Sequence, residues 1–200
     1  MKIIGLCGGS GSGKGIVSKI FLELGIPSID TDLVYREMTN TPGPCLNALV
    51  AEFGGSILTN DGCLDRKRLA DLVFAENDSK TKLKKLNEIT HFFILNETRS
   101  RLAKFEQDGK IAAIVDAPVL FESGFDKECD EVICVITDRE TRIDRIVSRD
   151  SISRDAAERR INSQMSDKEL ISRSDYVITN NGDISSLRPQ IFEIAKQIKK

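Results

Sequence analysis

The feature that most constrains this chain is a glycine-rich turn near its start, Gly8-Gly9-Ser10-Gly11-Ser12-Gly13-Lys14-Gly15. Before it, residues 2–7 form a short isoleucine-rich run that reads as a strand buried on both faces. After it, Ile16, Val17, Ile20, Phe21 and Leu24 recur at helical spacing, and Gly25 stands ready as a C-cap. A strand, a glycine loop and a helix in that order turn backbone N–H groups inward on an anion and set the positive helix end behind it. The spacing G-x-x-x-x-G-K is met from Gly8 to Lys14. Gly11, Ser12, Gly13, Lys14, Gly15 and Ile16 are therefore candidate ligands of a nucleotide's phosphates, with Lys14 as the cation for the β- and γ-groups. A merely flexible glycine turn would not account for Lys14.

The position after this lysine, where a serine or threonine hydroxyl touches Mg²⁺ in many such loops, is Gly15, and Ile16 offers no hydroxyl either. Magnesium is then expected on nucleotide phosphates, water and a carboxylate elsewhere. The dinucleotide fingerprint G-x-G-x-x-G fails because its third glycine would fall on Lys14. A regulatory GTPase would carry D-x-x-G and N-K-x-D, and neither string occurs. A kinase is left as the class.

Further along, apolar runs alternate with helical periods. Residues 26–30, 111–115, 131–136 and 176–178 read as strands, giving five with the first. Helices are expected from Asp32 to about Met38, around Leu46 to Phe53, over 140–148 and over 184–199, and residues 65–105 form a lysine-rich helical stretch. This alternation predicts an α/β fold, a five-stranded parallel sheet flanked by helices, with ligands bound beyond the carboxyl ends of the strands. We expect a single domain over 1–200. Its core is about 1–64, 110–148 and 174–200, with a helical insertion over about 65–109 and a lid over about 149–173.

Composition excludes several classes. With 29 basic against 31 acidic residues and a net charge of −2, no broad basic surface for nucleic acid is available. No window approaches the roughly 18 consecutive apolar residues of a membrane span. The N-terminus runs straight into the first strand where a signal peptide would need its apolar region, so a cytoplasmic location is expected. Five cysteines, with no C-x-x-C pair, read as small buried hydrophobes rather than as disulfides or a zinc site.

Four groups of residues carry candidate chemistry. Asp32 follows the second strand, where a base could take the proton of an acceptor hydroxyl, or where a helix N-cap commonly sits; Asp30 is the alternative carboxylate. Asp116 ends an apolar run, as a metal-organising carboxylate or a strand-end turn residue. The stretch 139–173 holds eight arginines interleaved with acids; most suit a solvated face, but Arg145 and Arg149, one helical turn apart, suit a lid that closes over a transferring phosphate. His91, the only histidine, is either packed or in contact with substrate.

The whole pattern resembles the dephospho-CoA kinase family. Residues 4–14 are close to its I-G-L-T-G-G-I-G-S-G-K, and Ile29-Asp30-Thr31-Asp32 is similar to its I-D-A-D. Asp116-Ala117-Pro118-Val119-Leu120-Phe121-Glu122 resembles its D-x-P-L-L-F-E, Arg145 to Asp150 its R-x-x-x-R-D, and Gln164 the lid's glutamine. Asp175 through Asn180-Asn181-Gly182 is similar to D-x-v-I-x-N-x-G. Gly15-Ile16 and His91-Phe92 depart from the family's Ser-Thr and His-Pro. The resemblance implies a P-loop kinase fold and phosphorylation of the ribose 3′-hydroxyl of dephospho-CoA by ATP with Mg²⁺. Asp32 would be the base, Lys14 and Arg149 further catalytic groups, and Arg145 and Asn181 further nucleotide contacts. Asp32, His91, Asp116 and Pro118 would meet the acceptor, and Asp116 would hold the metal through water. Partners would be small molecules only, and the protein a monomer. The rivals are another small-molecule kinase, acting on nucleosides or nucleoside monophosphates, and a catalytically silent nucleotide-binding protein.

Overall fold

The computed structural model describes residues 1–75, 79–182 and 184–199. Five strands, β1 (Lys2–Cys7), β2 (Ser28–Asp30), β3 (Ala112–Asp116), β4 (Glu131–Ile136) and β5 (Tyr176–Thr179), form one sheet in the order β2-β3-β1-β4-β5. Every neighbouring pair is parallel. All five residues of β3 are buried, as expected of a strand covered on both faces. The chain leaves β1 toward β2 on one side and leaves β3 toward β4 on the other. Their connections part at the carboxyl ends, where such sheets open a crevice.

Residues form two compact units, Met1–Asp30 with Arg101–Lys200, and Thr31–Ser100. The first holds the sheet, with α1 (Lys14–Glu23) and α9 (Ile184–Ile198) packed on the core around Ile4, Phe21, Ile133 and Ile191. Burying each such side chain contributes about 1.5–3 kcal/mol. The helix α1 stops where expected: Gly25 takes φ 82°, Gly25 N–H bonds to Leu22 O and Ile26 N–H to Phe21 O, and the chain turns into Ile26 of the core. In the same unit α6 (Arg139–Asp150) and α7 (Arg154–Asn162) pack through Ile143, Ile146, Ala157 and Ile161, and α8 (Asp167–Ser172) follows.

The second unit has its own core of Leu46, Leu49 and Phe53 from α3 (Pro44–Phe53), Ile57 just after it, and Leu69 and Val73 from α4 (Arg66–Val73), with the partly buried Tyr35 and Met38 of α2 (Thr31–Thr39) and Leu86, Ile89 and Phe93 of α5 (Ser79–Gln107) packed against it. It begins at Thr31, before the helical insertion read over 65–109, and Tyr35 and Met38 of α2 pack with α3 and α4. The helical stretch 65–105 is two helices, α4 capped by Asp65, and α5; residues 76–78 of that stretch, like Asp183 in the third expected core segment and Lys200, lie outside the described residues. Among the described residues no helix is long and apolar enough to cross a membrane, and all five cysteines are free, with Cys7, Cys45 and Cys134 buried.

Candidate active site

The glycine loop lies at the carboxyl end of β1 and feeds α1, as its spacing requires. Gly11 and Gly13 take φ 79° and 88°, conformations that side chains other than glycine resist. A Cβ on Gly13 would also lie 2.2 Å from Asn180 Nδ2. Lys14 Nζ donates to Gly8 O at 3.1 Å and lies 3.8 Å from Asp116 Oδ1, with both side chains largely buried. Its ammonium is thus held between the loop's own first carbonyl and the end of β3. Gly15 is exposed, and a Cβ there would meet nothing within 4 Å, so packing does not forbid a hydroxyl residue at this position. Ile16 is exposed as well.

The loop is clasped from beneath by the ends of β4 and β5. Thr137 Oγ donates to Ser12 O at 3.0 Å, and Asn180 Nδ2 donates to the same carbonyl at 2.7 Å. Arg145 of α6 donates to Gly11 O at 3.2 Å and to Asn180 O at 3.3 Å. These bonds fix the carbonyls outward, which leaves the first N–H groups of α1, lacking intrahelical partners, for an anion. At the loop's base Cys7 is registered against Cys134. Their shared hydrogen bond pulls the Cys7 thiol down and, with burial, pushes Cys134 up.

Asp30, ending β2, and Asp116, ending β3, are registered partners at the carboxyl edge of the sheet. Asp116 is buried and Asp30 exposed. No group of three His, Cys, Asp or Glu residues able to hold a metal occurs among the described residues. Asp116 and Asp30 are the carboxylates at this edge of the sheet that could meet a cation through water.

Beyond Asp116, Leu120 and Phe121 are buried while Pro118, Val119 and Glu122 face solvent. A β-carbon on Gly5 would come 2.7 Å from Leu120, so that glycine lets the segment close on β1. Arg173 stacks over the Phe121 ring at 4.0 Å. Pro118 and Glu122 line a cavity of about 150 Å³ together with Cys7, Gly9, Gln164 and Met165.

Asp32 and His91 belong to the second unit. Asp32 is exposed and is the second residue of α2, inside the first turn rather than the capping position before it. His91 lies partly buried on α5, and burial lowers its pKa, so the neutral imidazole is favoured. Of the two phenylalanines beside it, Phe93 packs against the helical core, whereas Phe92 is 60% exposed.

A family model described as dephospho-CoA kinase matches residues 2–186. The chain belongs to the dephospho-CoA kinase family. A relative named dephospho-CoA kinase in Geobacter sulfurreducens is 40% identical over 97% of each chain, and one in Fusobacterium nucleatum is 38% identical over 98% of each. Among solved structures, a dephospho-CoA kinase from Campylobacter jejuni superposes with a TM-score of 0.72 at 26% identity, covering 100% of this chain and 98% of that one. A shikimate kinase from Acinetobacter baumannii, 17% identical with a TM-score of 0.58 over 99% of this chain and 93% of that one, shares the P-loop kinase fold.

Within this kinase the arginines of α6 divide. Arg145 reaches the loop, whereas Arg149 is exposed and paired bidentately with Asp150, Nε to Oδ1 at 2.7 Å and Nη2 to Oδ2 at 2.9 Å. Asn181 is exposed and accepts from Asp138 N–H at 2.8 Å; Asn180 beside it holds the loop. Reading by residue type missed Asn180, Thr137 and Arg142. The strand period of two carried a signal for Asn180, which continues the buried face of Ile178. Arg142 falls on the buried stripe with Ile143 and Ile146, where a charge calls for a partner.

Proposed function

We propose that this kinase transfers the γ-phosphoryl group of ATP to the ribose 3′-hydroxyl of dephospho-CoA, giving coenzyme A and ADP, and that it works as a cytoplasmic monomer. The observation that carries the reading is a phosphate loop closed by Lys14 and Asp116, in a chain aligned almost end to end with relatives named for this reaction. Backbone N–H groups from Gly11 to Ile16 hold the phosphates, and Lys14 follows the charge that develops on the γ-phosphoryl oxygens. Asp32 accepts the proton as the hydroxyl oxygen bonds to phosphorus and the bond to the β-phosphate oxygen breaks. Arg145 holds Gly11, and Arg149 leaves Asp150 to offset transition-state charge. Asp116, with Asp30 beside it, would hold Mg²⁺ through water, and the metal would supply charge neutralisation. Pro118 and His91 contact the acceptor, and Asn181 lines the nucleotide side.

ADP release measured against dephospho-CoA, nucleosides and nucleoside monophosphates tests the acceptor. Dephospho-CoA should be preferred, and a preference for a nucleoside or its monophosphate overturns the assignment. For the base, Asp32→Asn should lower kcat at least ~10²-fold with ATP affinity unchanged. Near-normal turnover in that variant removes Asp32 from the chemistry.

A further inference from the structure

Ser10, at the tip of the phosphate loop, has its main chain and side chain engaged by the lid segment and α6. Its N–H donates to Gln164 Oε1 at 2.9 Å, its Oγ accepts from Gln164 Nε2 at 3.1 Å, and its carbonyl accepts from Arg142 Nε at 2.9 Å. The guanidinium of Arg142 goes on to Asp167 Oδ1 at 2.9 Å and to Gln164 Oε1 at 3.3 Å. Arg142 is only 4% exposed, and it comes from α6, while Gln164 and Asp167 come from the connection between α7 and α8 and the start of α8. The two glycines flanking Ser10 are shaped around this arginine: a Cβ on Gly9 would lie 2.0 Å from Arg142 Nη2, and one on Gly11 would lie 2.7 Å from Arg142 O.

A buried arginine held only for stability gives little advantage over an apolar side chain of similar volume. Here the fork geometry of the guanidinium joins three chain segments that no apolar residue could join, and one of them is the nucleotide loop. We propose that Arg142 is a positioning residue that fastens the α7–α8 connection to Ser10 and so sets the shape of the phosphate loop before nucleotide arrives. Resting on the reading of the loop as the nucleotide site, this makes ATP affinity the property the fastening controls, because an unfastened loop must be ordered at the cost of binding energy. Gly9 is glycine for the same reason, since a methyl group there meets the far end of the guanidinium and expels it.

Three variants test this: Arg142→Met, Gly9→Ala, and the two combined. Gly9 has no left-handed backbone angle to strain, and its substitution leaves α6 intact, so it decides the matter should Arg142→Met fold poorly. ATP affinity is read by calorimetry without acceptor, and amide exchange is read at Ser10. Each single variant should weaken ATP binding about tenfold and speed Ser10 exchange, with kcat at saturating ATP held within about twofold. The double variant should be no worse than the weaker single, since both remove the same fastening. Arg142→Lys, which keeps charge but not the fork, should behave as Arg142→Met. Unchanged ATP affinity in Gly9→Ala, losses that multiply in the double variant, or rescue by lysine would overturn the proposal. Because the readout is ATP binding alone, a failed acceptor assignment leaves this result standing, and the reverse.

Discussion

The two ends of α6 carry the same residue type to different ends. On its inner half, Arg142 and Arg145 reach back to the phosphate loop, bonding the carbonyls of Ser10 and Gly11. In its last turn, Arg149 is 62% exposed along its side chain and closes on the neighbouring Asp150, which also takes Arg160. Arginines three and four residues apart look alike in a sequence. What separates them is burial: an arginine next to Ile143 and Ile146 is desolvated and must find carbonyls or a carboxylate, while one at the exposed end settles on the nearest acid. The inner arginines hold the phosphate loop, and the outer one is paired with Asp150 at the exposed end of the helix.

The largest effect should come from the inner end. Arg145→Met leaves the Gly11 carbonyl without its partner and loosens the Asn180 clasp, so stability should fall by about 2 kcal/mol and kcat/KM for ATP by about 10²-fold. Urea unfolding with steady-state kinetics checks both. If stability falls while kinetics hold, Arg145 is a strut and not part of the nucleotide site.

How far the sequence foretold this difference follows from its physical source. The sheet, the loop and the place of Lys14 were legible because apolar runs and glycines report local backbone demands directly. Asp116 was legible too, as the end of an apolar run. The contacts of Arg142 were not: Gln164 and Asp167 lie 22 and 25 positions after it and are met only through the packing of α6 on α7. Adjacent Asn180 and Asn181 could not be told apart by type, and strand parity alone gives one to the loop. The contact boundary at Thr31 escaped for the opposite reason, since α2 carries helical signals that say nothing of which core it joins.

The outer end should separate stability from rate. Arg149→Met removes an exposed ion pair, so unfolding free energy should change by no more than about 0.5 kcal/mol. If Arg149 travels to the phosphoryl group, kcat should still fall at least tenfold with the ATP dissociation constant unchanged. Unchanged kcat would make the outer end a solvated face.

The smallest effect is the most direct probe of what holds Arg149 in place. Hydrogen bonds from Arg149, then from Arg160, hold the Asp150 carboxyl well below the usual carboxylate range. A carboxyl whose pKa is lower folded than unfolded binds fewer protons in the native state, so its contribution to stability is present above the unfolded value, near 3.9, and is lost as pH falls below it. Asp150→Asn should therefore lower the melting temperature slightly at pH 7, and the gap to wild type should close as pH drops below about 4. The same substitution frees Arg149 from its bidentate partner. If pairing with Asp150 restrains Arg149 between turnovers, kcat in this variant stays at or above wild type although stability is lower. If Asp150 instead aims the guanidinium at the phosphoryl group, kcat falls with it, and the outer end of α6 is then as preorganised as the inner one.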